Sequence, residues 1–367
     1  MGVTRPRRAA VLAIDAGNSK TDVALIAADG SVLGTGRSGG FQPPHRGVEA
    51  AVDVLGQAVA AAAGAAGLPA PGPGSPYAAR VSACLANADL PVEEQQLTQA
   101  IGARGWGAAT EVRNDTFAIL RAGVDEPCGV AVVCGAGVNC VGMTPDGRTA
   151  RFPAIGRISG DWGGGGALAE EALWFAARAE DGRGEPTELA RALPAHFGLG
   201  SMYELIEALH LGRIPGGRRH ELTPVLFAVA AAGDPVAGGL VHRQADEIVA
   251  MATVALRRLE LLDREVPVVL GGGVLAARHP QLNDRIAGGL AERAPLARMH
   301  VITAPPVLGA ALLGLDALGS APEAYAKLRA HFGAPPTAPS GAPSEPNSGE
   351  PAPGGGRSGT VAVAETY

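Results

Sequence analysis

Two short apolar runs flank a polar turn near the start of the chain, and this turn carries residue types that bind phosphate. The runs cover residues 9–14 and 23–27, and their length and composition indicate two strands joined by a tight turn. A turn of glycine and small polar residues exposes several backbone N–H groups in one place, where phosphate oxygens can bind. Lys20 adds a cation within reach of a phosphate. The alternative at this point is an ordinary hairpin with asparagine and glycine in its turn.

Two carboxylates stand at the ends of predicted strands, where they could hold a metal ion or take a proton. Asp15 ends the first strand, and a charge there needs a partner, which a hydrated Mg²⁺ ion supplies. Asp115 follows Asn114 at the end of a later strand.

Two further glycine clusters each follow an apolar strand, as the first turn does. Three such turns in a fixed order are stronger evidence than one. Two facing hairpins could grip the β- and γ-phosphates of a nucleotide, and a third glycine cluster lets adenine approach the backbone. Neither the Walker pattern GxxxxGK[ST] nor a GxGxxG that opens a helix after the first strand occurs here. The clusters are Gly135, Ala136 and Gly137, followed by Val138 and Asn139, and then Gly271, Gly272 and Gly273.

Composition excludes several classes of protein. The 367 residues, 47% of them hydrophobic and 18% charged, suit a globular chain of two domains. A formal charge of −6 and a pI near 5.8 argue against a nucleic-acid-binding protein. The four cysteines have no CxxC spacing and are typical of reduced, mostly buried thiols in the cytoplasm. We find no uninterrupted apolar stretch of about 20 residues, so no membrane association is expected.

The order of predicted elements favours an α/β fold with an internal repeat. Three meandering strands are followed by alternating strands and helices, and a second strand–turn–strand unit begins near Cys128. A glycine-rich loop covers residues 156–166, with a helix expected from Ala167. Proline, alanine, glycine and serine dominate residues 333–367, which we interpret as a disordered tail.

These motifs resemble those of the BadF/BadG/BcrA/BcrD ATPase family, and within it the N-acetylglucosamine kinase branch. The family is part of the superfamily of actin, sugar kinases and heat-shock chaperones. Residues 15–22 are similar to its phosphate-1 motif, residues 135–139 to its phosphate-2 motif, and residues 270–274 to its adenosine motif. Gly233-Asp234-Pro235 before a long helix is also found in the family. The resemblance covers roughly Val11 to Gly319 by motif order.

The resemblance implies a two-lobed, ribonuclease H-like (actin-like ATPase) fold. Each lobe would be a mixed sheet that starts with a β-hairpin and has helices on both faces. Residues 9–122 would form the N-terminal lobe, completed by a helix over residues 306–330, and residues 123–305 would form the C-terminal lobe.

The resemblance also implies roles for individual residues in an ATP- and Mg²⁺-dependent sugar kinase. Asp115 would be the general base, and Asp15 would hold Mg²⁺ through water. A cytoplasmic homodimer with a small sugar substrate, binding neither nucleic acid nor membrane, is expected. Phosphates would be held by Gly17, Asn18, Ser19, Lys20 and Thr21; the sugar would be bound by Gln42, Asn114, Asn139, Gly156 and Asp161.

Simpler structural roles are open for three of these residues. Asp115 and Asp161 each precede a helix, so either carboxylate could be only an N-cap. Asn139 could serve only the amides of its own turn.

The sugar pocket departs from the kinase branch. The kinases carry an asparagine in the loop after the third strand, and Gln42 is the nearest amide in the corresponding loop here. Gly-Asp-Glu-Gly-Ser of the kinases is replaced by Gly160-Asp161-Trp162-Gly163-Gly164, where Trp162 could stack on a sugar face. N-acetylglucosamine, phosphorylated at its 6-hydroxyl, is the leading substrate, with glucosamine, another amino sugar or a muropeptide fragment as alternatives.

Two other functions stay open at this point. One is the family's ATPase activators of CoA-ester dehydratases and reductases, whose iron–sulfur cluster is held by cysteines in a segment that has no counterpart here. The other is a non-catalytic ATP-binding regulator.

Overall fold

The chain folds into two five-stranded sheets connected and covered by helices, and the computed structural model describes residues 8–72 and 74–333. The predicted disordered tail, apart from Gly333, lies outside the described residues. The strands are β1 (Ala9–Ala16), β2 (Thr21–Ile26), β3 (Val32–Ser38), β4 (Ala78–Leu85), β5 (Gly107–Asn114), β6 (Gly129–Cys134), β7 (Val138–Met143), β8 (Thr149–Arg151), β9 (Val266–Gly271) and β10 (Ala297–Val301). The helices are α1 (Pro43–Arg46), α2 (Val48–Ala65), α3 (Pro91–Gly102), α4 (Thr116–Gly123), α5 (Gly164–Glu180), α6 (Leu189–His196), α7 (Met202–His210), α8 (Leu222–Ala231), α9 (Pro235–Arg258), α10 (Gly273–Ala276), α11 (Pro280–Arg293), α12 (Pro306–Leu318) and α13 (Pro322–His331), with 3₁₀ turns at Gly156–Ser159 and Gly216–Glu221.

The two sheets repeat one topology. The first has the strand order β3-β2-β1-β4-β5, and the second has the matching order β8-β7-β6-β9-β10. In each sheet the first three strands form an antiparallel meander, and the last two join in parallel. The predicted repeat and the mixed sheets starting with a hairpin are therefore confirmed.

Helices cover both faces of the first sheet, as the alternation of side chains along β1 requires. Leu12 and Ile14 pack in the core with α2 and α3. Val11 and Ala13 point the other way and pack in a second cluster with α4 and α12. On its other side, α4 contributes Phe117 to a cluster with strands of the second sheet. The helix that follows Asp115 is thus packed between the two sheets.

The connection from α4 to the second sheet is held by two buried arginines. Arg121 is 2% exposed and forms a bidentate ion pair with Asp316, at 2.7 and 3.0 Å. Arg329 donates to the carbonyls of Ala122, at 2.9 Å, and of Val124. Because these bonds satisfy the last carbonyls of α4, they fix the position of that helix.

Two predicted helices have different bounds in the structure. The helix expected over residues 306–330 is two helices, α12 and α13, because Gly319 adopts a left-handed conformation, with φ +60°, and Pro322 starts the next helix. The helix expected from Ala167 begins at Gly164, because the N–H groups of the glycine run bond to groups outside the helix.

The helix α2 has the length and composition of a membrane span, with a mean hydropathy of 1.3 over 18 residues. The bent pair Gly216–Ala231 and Pro235–Arg258 passes the same test as a broken span. Both are weak indications, since helices in a protein core pass it too, and α2 packs against the first sheet through residues such as Val52 and Leu55.

Candidate functional site: two glycine turns and a row of carboxylates

The turn between β1 and β2 presents unpaired backbone N–H groups. Gly17 N–H donates to the carbonyl of Lys20 at 2.9 Å, which closes the turn. Asn18, Ser19 and Lys20 are exposed. Within the described part of the chain, the N–H groups of Asn18 and Ser19 are used in no backbone hydrogen bond of the turn. This is the arrangement that a phosphate group needs.

The two residues after Ser19 are engaged with protein groups. Lys20 Nζ lies 2.8 Å from Asp22 Oδ2, and Arg37 binds the other oxygen of that carboxylate at 2.5 Å. Thr21 is buried, and its hydroxyl donates to the carbonyl of Gly39 at 2.9 Å. Lys20 must therefore leave Asp22 to reach a phosphate, whereas the hydroxyl of Thr21 holds the neighbouring loop in place.

Two amide side chains donate hydrogen bonds to Asn18 in the β1–β2 turn. Gln42 Nε2, which we expected at the sugar, donates to the carbonyl of Asn18 at 2.9 Å. Asn87 Nδ2, which the sequence did not single out, donates to Asn18 Oδ1 at 2.9 Å and to the carbonyl of Phe41 at 3.2 Å. In this structure Gln42 therefore contacts the turn between β1 and β2. Asn87 has a φ of +60°, a conformation that asparagine tolerates better than most residues.

The second glycine turn joins β6 to β7 and leans on the start of α5. Gly135 N–H bonds to the carbonyl of Gly137 at 2.9 Å. The N–H groups of Gly165 and Gly166 bond to the carbonyls of Gly135 and Ala136 at 2.7 and 2.9 Å. With these carbonyls engaged, the exposed side of the turn at Ala136 and Gly137 is fixed.

The third glycine cluster lies beside the second turn. The strands β9 and β6 are parallel neighbours, with Gly271 opposite Val133. Gly272 has a φ of +86°, and a Cβ there would lie 2.4 Å from the carbonyl oxygen of Cys134. Only glycine allows the two backbones to come this close. The close contact places Gly273, the first residue of α10, next to the end of β6.

Asp15 and Asp115 come together at the carboxyl edge of the first sheet. Asp15 is 7% exposed, and burial together with the charges of Asp115 and Asp22 raises its pKa to about 8, against a lowering by Lys20. Burial likewise raises the pKa of Asp115 to about 6, although the adjacent Thr116 N–H and hydroxyl lower it. A carboxylate of this pKa is ionised near neutral pH and can still accept a proton.

The predicted sugar residues Asn114 and Asn139 meet across the two sheets. Asn139 Nδ2 donates to Asn114 Oδ1 at 3.1 Å, and its own Oδ1 accepts the N–H of Cys140 at 2.7 Å. Asn114, only 2% exposed, also donates to Asp89 Oδ1 at 2.8 Å. Asp89 was missed by sequence reasoning, because its segment, Ala86–Leu90, reads as an ordinary loop. Burial, Asp115 and other nearby carboxylates raise the pKa of Asp89 to about 7.

Asp161 closes its own loop and caps no helix. Its Oδ2 accepts the N–H of Gly156 at 3.1 Å and the hydroxyl of Ser159, so the N–H of Gly156 is not free for a sugar in this structure. Its charge contributes to the raised pKa of Asp89, which places the loop near the carboxylate row, formed by Asp15, Asp115 and Asp89. Trp162 is 6% exposed, and the Arg243 guanidinium lies 4.1 Å from the centroid of its ring. The ring face on which we expected a sugar to stack is therefore not open in this structure.

A depression of about 600 Å³, lined in part by Arg8, Arg104 and Gly107, lies at the opposite edge of the first sheet, where β5 begins. The carboxylate row lies where β1 and β5 end. The depression is therefore separate from the candidate site.

Comparison with known proteins identifies the family of the chain. A sequence model of the BadF/BadG/BcrA/BcrD ATPase family matches residues 12–314. The chain belongs to this family. Residues of all three glycine turns, the carboxylates Asp15, Asp89 and Asp115, and the Asn114–Asn139 pair fall within the matched region.

Two curated relatives are sugar kinases. An N-acetyl-D-glucosamine kinase of Dictyostelium discoideum is 26% identical over 208 residues, which cover 56% of this chain and 65% of that protein. An N-acetylmuramic acid/N-acetylglucosamine kinase of Clostridium acetobutylicum is 27% identical over 190 residues, covering 52% of this chain and 62% of that protein. The matches thus span less than two thirds of either relative.

A solved structure from Chromobacterium violaceum, provisionally assigned as an N-acetylglucosamine kinase, superposes with a TM-score of 0.64 at 25% identity. It covers 84% of this chain and all of that one. The predicted two-lobed, actin-like ATPase fold is confirmed.

Proposed function

We propose that this protein is an ATP-dependent kinase that transfers a phosphoryl group to a hydroxyl of an amino sugar. The observation that carries the proposal is the placement of Asp115 beside Asp15 at one sheet edge, where burial raises the pKa of Asp115 to about 6. A group with this pKa is mostly ionised at neutral pH and basic enough to take the proton of a sugar hydroxyl. The kinases named among the relatives support the same reaction.

The leading substrate is N-acetylglucosamine, phosphorylated at its 6-hydroxyl. The names of the two curated relatives both include this sugar, and one includes N-acetylmuramic acid as well. The polar side chains of Asn139 and Asp161 suit a hydroxyl-rich ligand, because a buried hydroxyl without a partner is costly. Asn114, which is 2% exposed, is bonded to Asn139. Because Asp161 holds the N–H of Gly156 in this structure, sugar binding would require that loop to rearrange.

The residues around Asp15 fit a magnesium ion. Asp15 is a buried carboxylate whose pKa is raised by two other negative charges, Asp115 and Asp22, and Lys20 offsets them only in part. Mg²⁺ is commonly held by one or two carboxylates together with substrate phosphates and water. The ion would supply neutralisation of the charge that develops on the phosphates. The N–H groups of Asn18 and Ser19 would orient those phosphates from the protein side.

The structure disfavours the activator alternative through its cysteines. Cys84, Cys134 and Cys140 are buried, and burial raises the pKa of each thiol well above its usual value. Metal ligation needs the thiolate form, which such burial opposes. We propose no iron–sulfur role for them. The cytoplasmic location and the homodimer stay predictions.

A coupled assay of ADP release over a panel of amino sugars tests the kinase proposal. We expect turnover that depends on N-acetylglucosamine or a close relative, that requires Mg²⁺ and that is lost in Asp115→Asn. Asp146→Asn, which removes an exposed carboxylate in the β7–β8 turn, is the matched control. ATP binding without sugar-dependent turnover on any member of the panel would refute the proposal and favour the regulator.

A further inference from the structure

The side chain of Asn114 is held in one orientation by three hydrogen bonds. Its Nδ2 donates to Asp89 Oδ1 at 2.8 Å. Its Oδ1 accepts the N–H of Thr116 at 2.9 Å and the Nδ2 of Asn139 at 3.1 Å. Asn114 is 2% exposed and Thr116 is 1% exposed. Water cannot reach these groups, so breaking one of the bonds would leave a buried polar group unpaired, which costs free energy.

The bond from Thr116 to Asn114 is the one that an N-cap residue makes at the start of a helix. Asp115 is the residue at the cap position of α4. The Thr116 N–H and hydroxyl lie near enough to its carboxyl to lower the pKa, but the Thr116 N–H makes its hydrogen bond to Asn114, and the side chain of Asp115 makes no capping bond. The preceding residue therefore satisfies the first free N–H of α4. The carboxylate of Asp115 is therefore not needed as a helix cap and can contact a ligand at the edge of the sheet.

Asp89 decides which way the Asn114 amide points. An amide can exchange the positions of its oxygen and nitrogen by rotating half a turn. Because Asp89 Oδ1 accepts a hydrogen bond from Asn114 Nδ2, it selects the nitrogen of Asn114 and directs the oxygen toward the Thr116 N–H.

The backbone of Asp89 is fixed on both sides. Its N–H donates to Glu93 Oε2 at 3.0 Å, within the cap of α3. Its carbonyl accepts Arg151 Nη2 at 2.9 Å, and Arg151 belongs to β8 of the second sheet. Arg151 also forms an ion pair with Glu94 at 2.7 Å. The backbone that carries the Asp89 side chain is thus held in place by the start of α3 and by the opposite sheet.

We propose that Asp89 is a positioning residue for the general base. It keeps the oxygen of Asn114 on the N-terminus of α4, and so leaves the Asp115 carboxylate free to face the substrate hydroxyl. This inference rests on the proposed function for its effect on turnover, but the orientation of Asn114 can be tested without any substrate.

Hydrogen–deuterium exchange of the ligand-free protein tests the orientation. In the wild type, the Thr116 N–H is expected to exchange slowly, because it is bonded and buried. In Asp89→Ala the orientation of the Asn114 amide is no longer fixed by an acceptor. Exchange in the peptide that spans the start of α4 is therefore expected to be faster. Asp89→Asn, whose carbonyl can still accept, and the distant control Asp146→Asn should protect Thr116. Unchanged exchange in Asp89→Ala would overturn the proposal, whether or not the protein is a kinase.

Steady-state kinetics test the effect on catalysis. Asp89→Ala is expected to lower kcat by about 10- to 100-fold, the range seen when an outer partner of a catalytic ligand is removed. Nucleotide affinity, measured by titration with a non-hydrolysable analogue, should be unchanged, since Asp89 touches neither glycine turn. Asp89→Asn should recover activity relative to Asp89→Ala. A wild-type kcat in Asp89→Ala, or equal impairment of the two variants, would overturn the positioning role. If Asp89→Ala unfolds, the exchange of Asp89→Asn is compared with that of the wild type instead. Faster exchange of the Thr116 N–H in Asp89→Asn would contradict the role of Asp89 as a hydrogen-bond acceptor.

Discussion

Replacing Asp15 by asparagine is expected to stabilise the ligand-free protein at neutral pH while it removes Mg²⁺-dependent turnover. The pKa of Asp15 is raised from 3.8 to about 8 by burial and by the charges of Asp115 and Asp22. Because this folded-state pKa lies above that of the unfolded chain, the folded protein binds the proton more tightly. The resulting stabilisation is complete below the unfolded pKa and is lost as the pH rises toward 8.

The size of the effect follows from the shift. Between the two pKa values the loss is about 1.4 kcal/mol per pH unit, which amounts to about 4 kcal/mol at pH 7. Asparagine carries no charge, but burying its amide with incomplete hydrogen bonding costs about 1–3 kcal/mol. The net gain for Asp15→Asn at pH 7 is therefore about 1–3 kcal/mol, which corresponds to a rise of a few degrees in Tm.

Thermal unfolding of the wild type, Asp15→Asn and the control Asp53→Asn between pH 5 and pH 8 measures this. Asp53 is an exposed carboxylate on α2, with 62% of its side chain accessible. The Tm of the wild type and of the control should fall more steeply with pH than that of Asp15→Asn. A magnesium complex of a non-hydrolysable ATP analogue should stabilise the wild type more than Asp15→Asn. Parallel curves of Tm against pH for the wild type and Asp15→Asn would refute the assignment of Asp15 as a buried, uncompensated carboxylate. Equal stabilisation of the two proteins by the nucleotide complex would show that Asp15 does not bind the metal.

Three further outcomes are expected. Asp115→Asn should lower kcat by about 10²- to 10⁴-fold with unchanged nucleotide affinity, as loss of a general base does; an active variant in the ADP-release assay would exclude that role. The sugar kcat/KM should fall about tenfold per pH unit below roughly pH 6, because the base must be ionised and burial raises the pKa of Asp115 to about 6; a flat profile down to pH 4.5 would contradict this. Gly272→Ala should weaken ATP binding in calorimetry, since a Cβ would lie 2.4 Å from the Cys134 carbonyl and the conformation itself costs about 1–3 kcal/mol. Gly238→Ala on α9, where a Cβ meets nothing within 4 Å, is its control, and equal affinities of the two variants would contradict the close approach.

The sequence allowed the fold to be predicted because its signals are local. Each sheet begins with two apolar runs around a glycine turn, and short strands with turn residues between them indicate a hairpin without any tertiary information. The same holds for Asp15 and Asp115, because each directly ends a strand. The break between α12 and α13 also had a local signal, Gly319 followed by Pro322, which should have ended the predicted helix.

Other features depend on contacts that the sequence does not show. The start of α5 is a run of glycines, each of which disfavours a helix by about 1 kcal/mol relative to alanine. The helix begins there because Gly164 N–H binds Gln244 Oε1 at 2.8 Å, and because the next two N–H groups bind the phosphate-2 turn. Gln42 was assigned to the sugar from its place in a motif, whereas its nearest acceptor in the structure is the carbonyl of Asn18.

The loop from Ala86 to Leu90 shows why the residue types at the site were easier to predict than its geometry. Asn87 holds the phosphate-1 turn through Asn18, and two positions later Asp89 holds Asn114. The loop can do both because β4, which it follows, lies between β1 and β5 in the sheet. Strand order, and not sequence spacing, therefore brings the β1–β2 turn and the start of α4 into contact with one loop. A change in the backbone of this loop is expected to alter phosphate binding and proton transfer together, whereas replacing the side chain of Asn87 or of Asp89 alone is expected to alter only one of them.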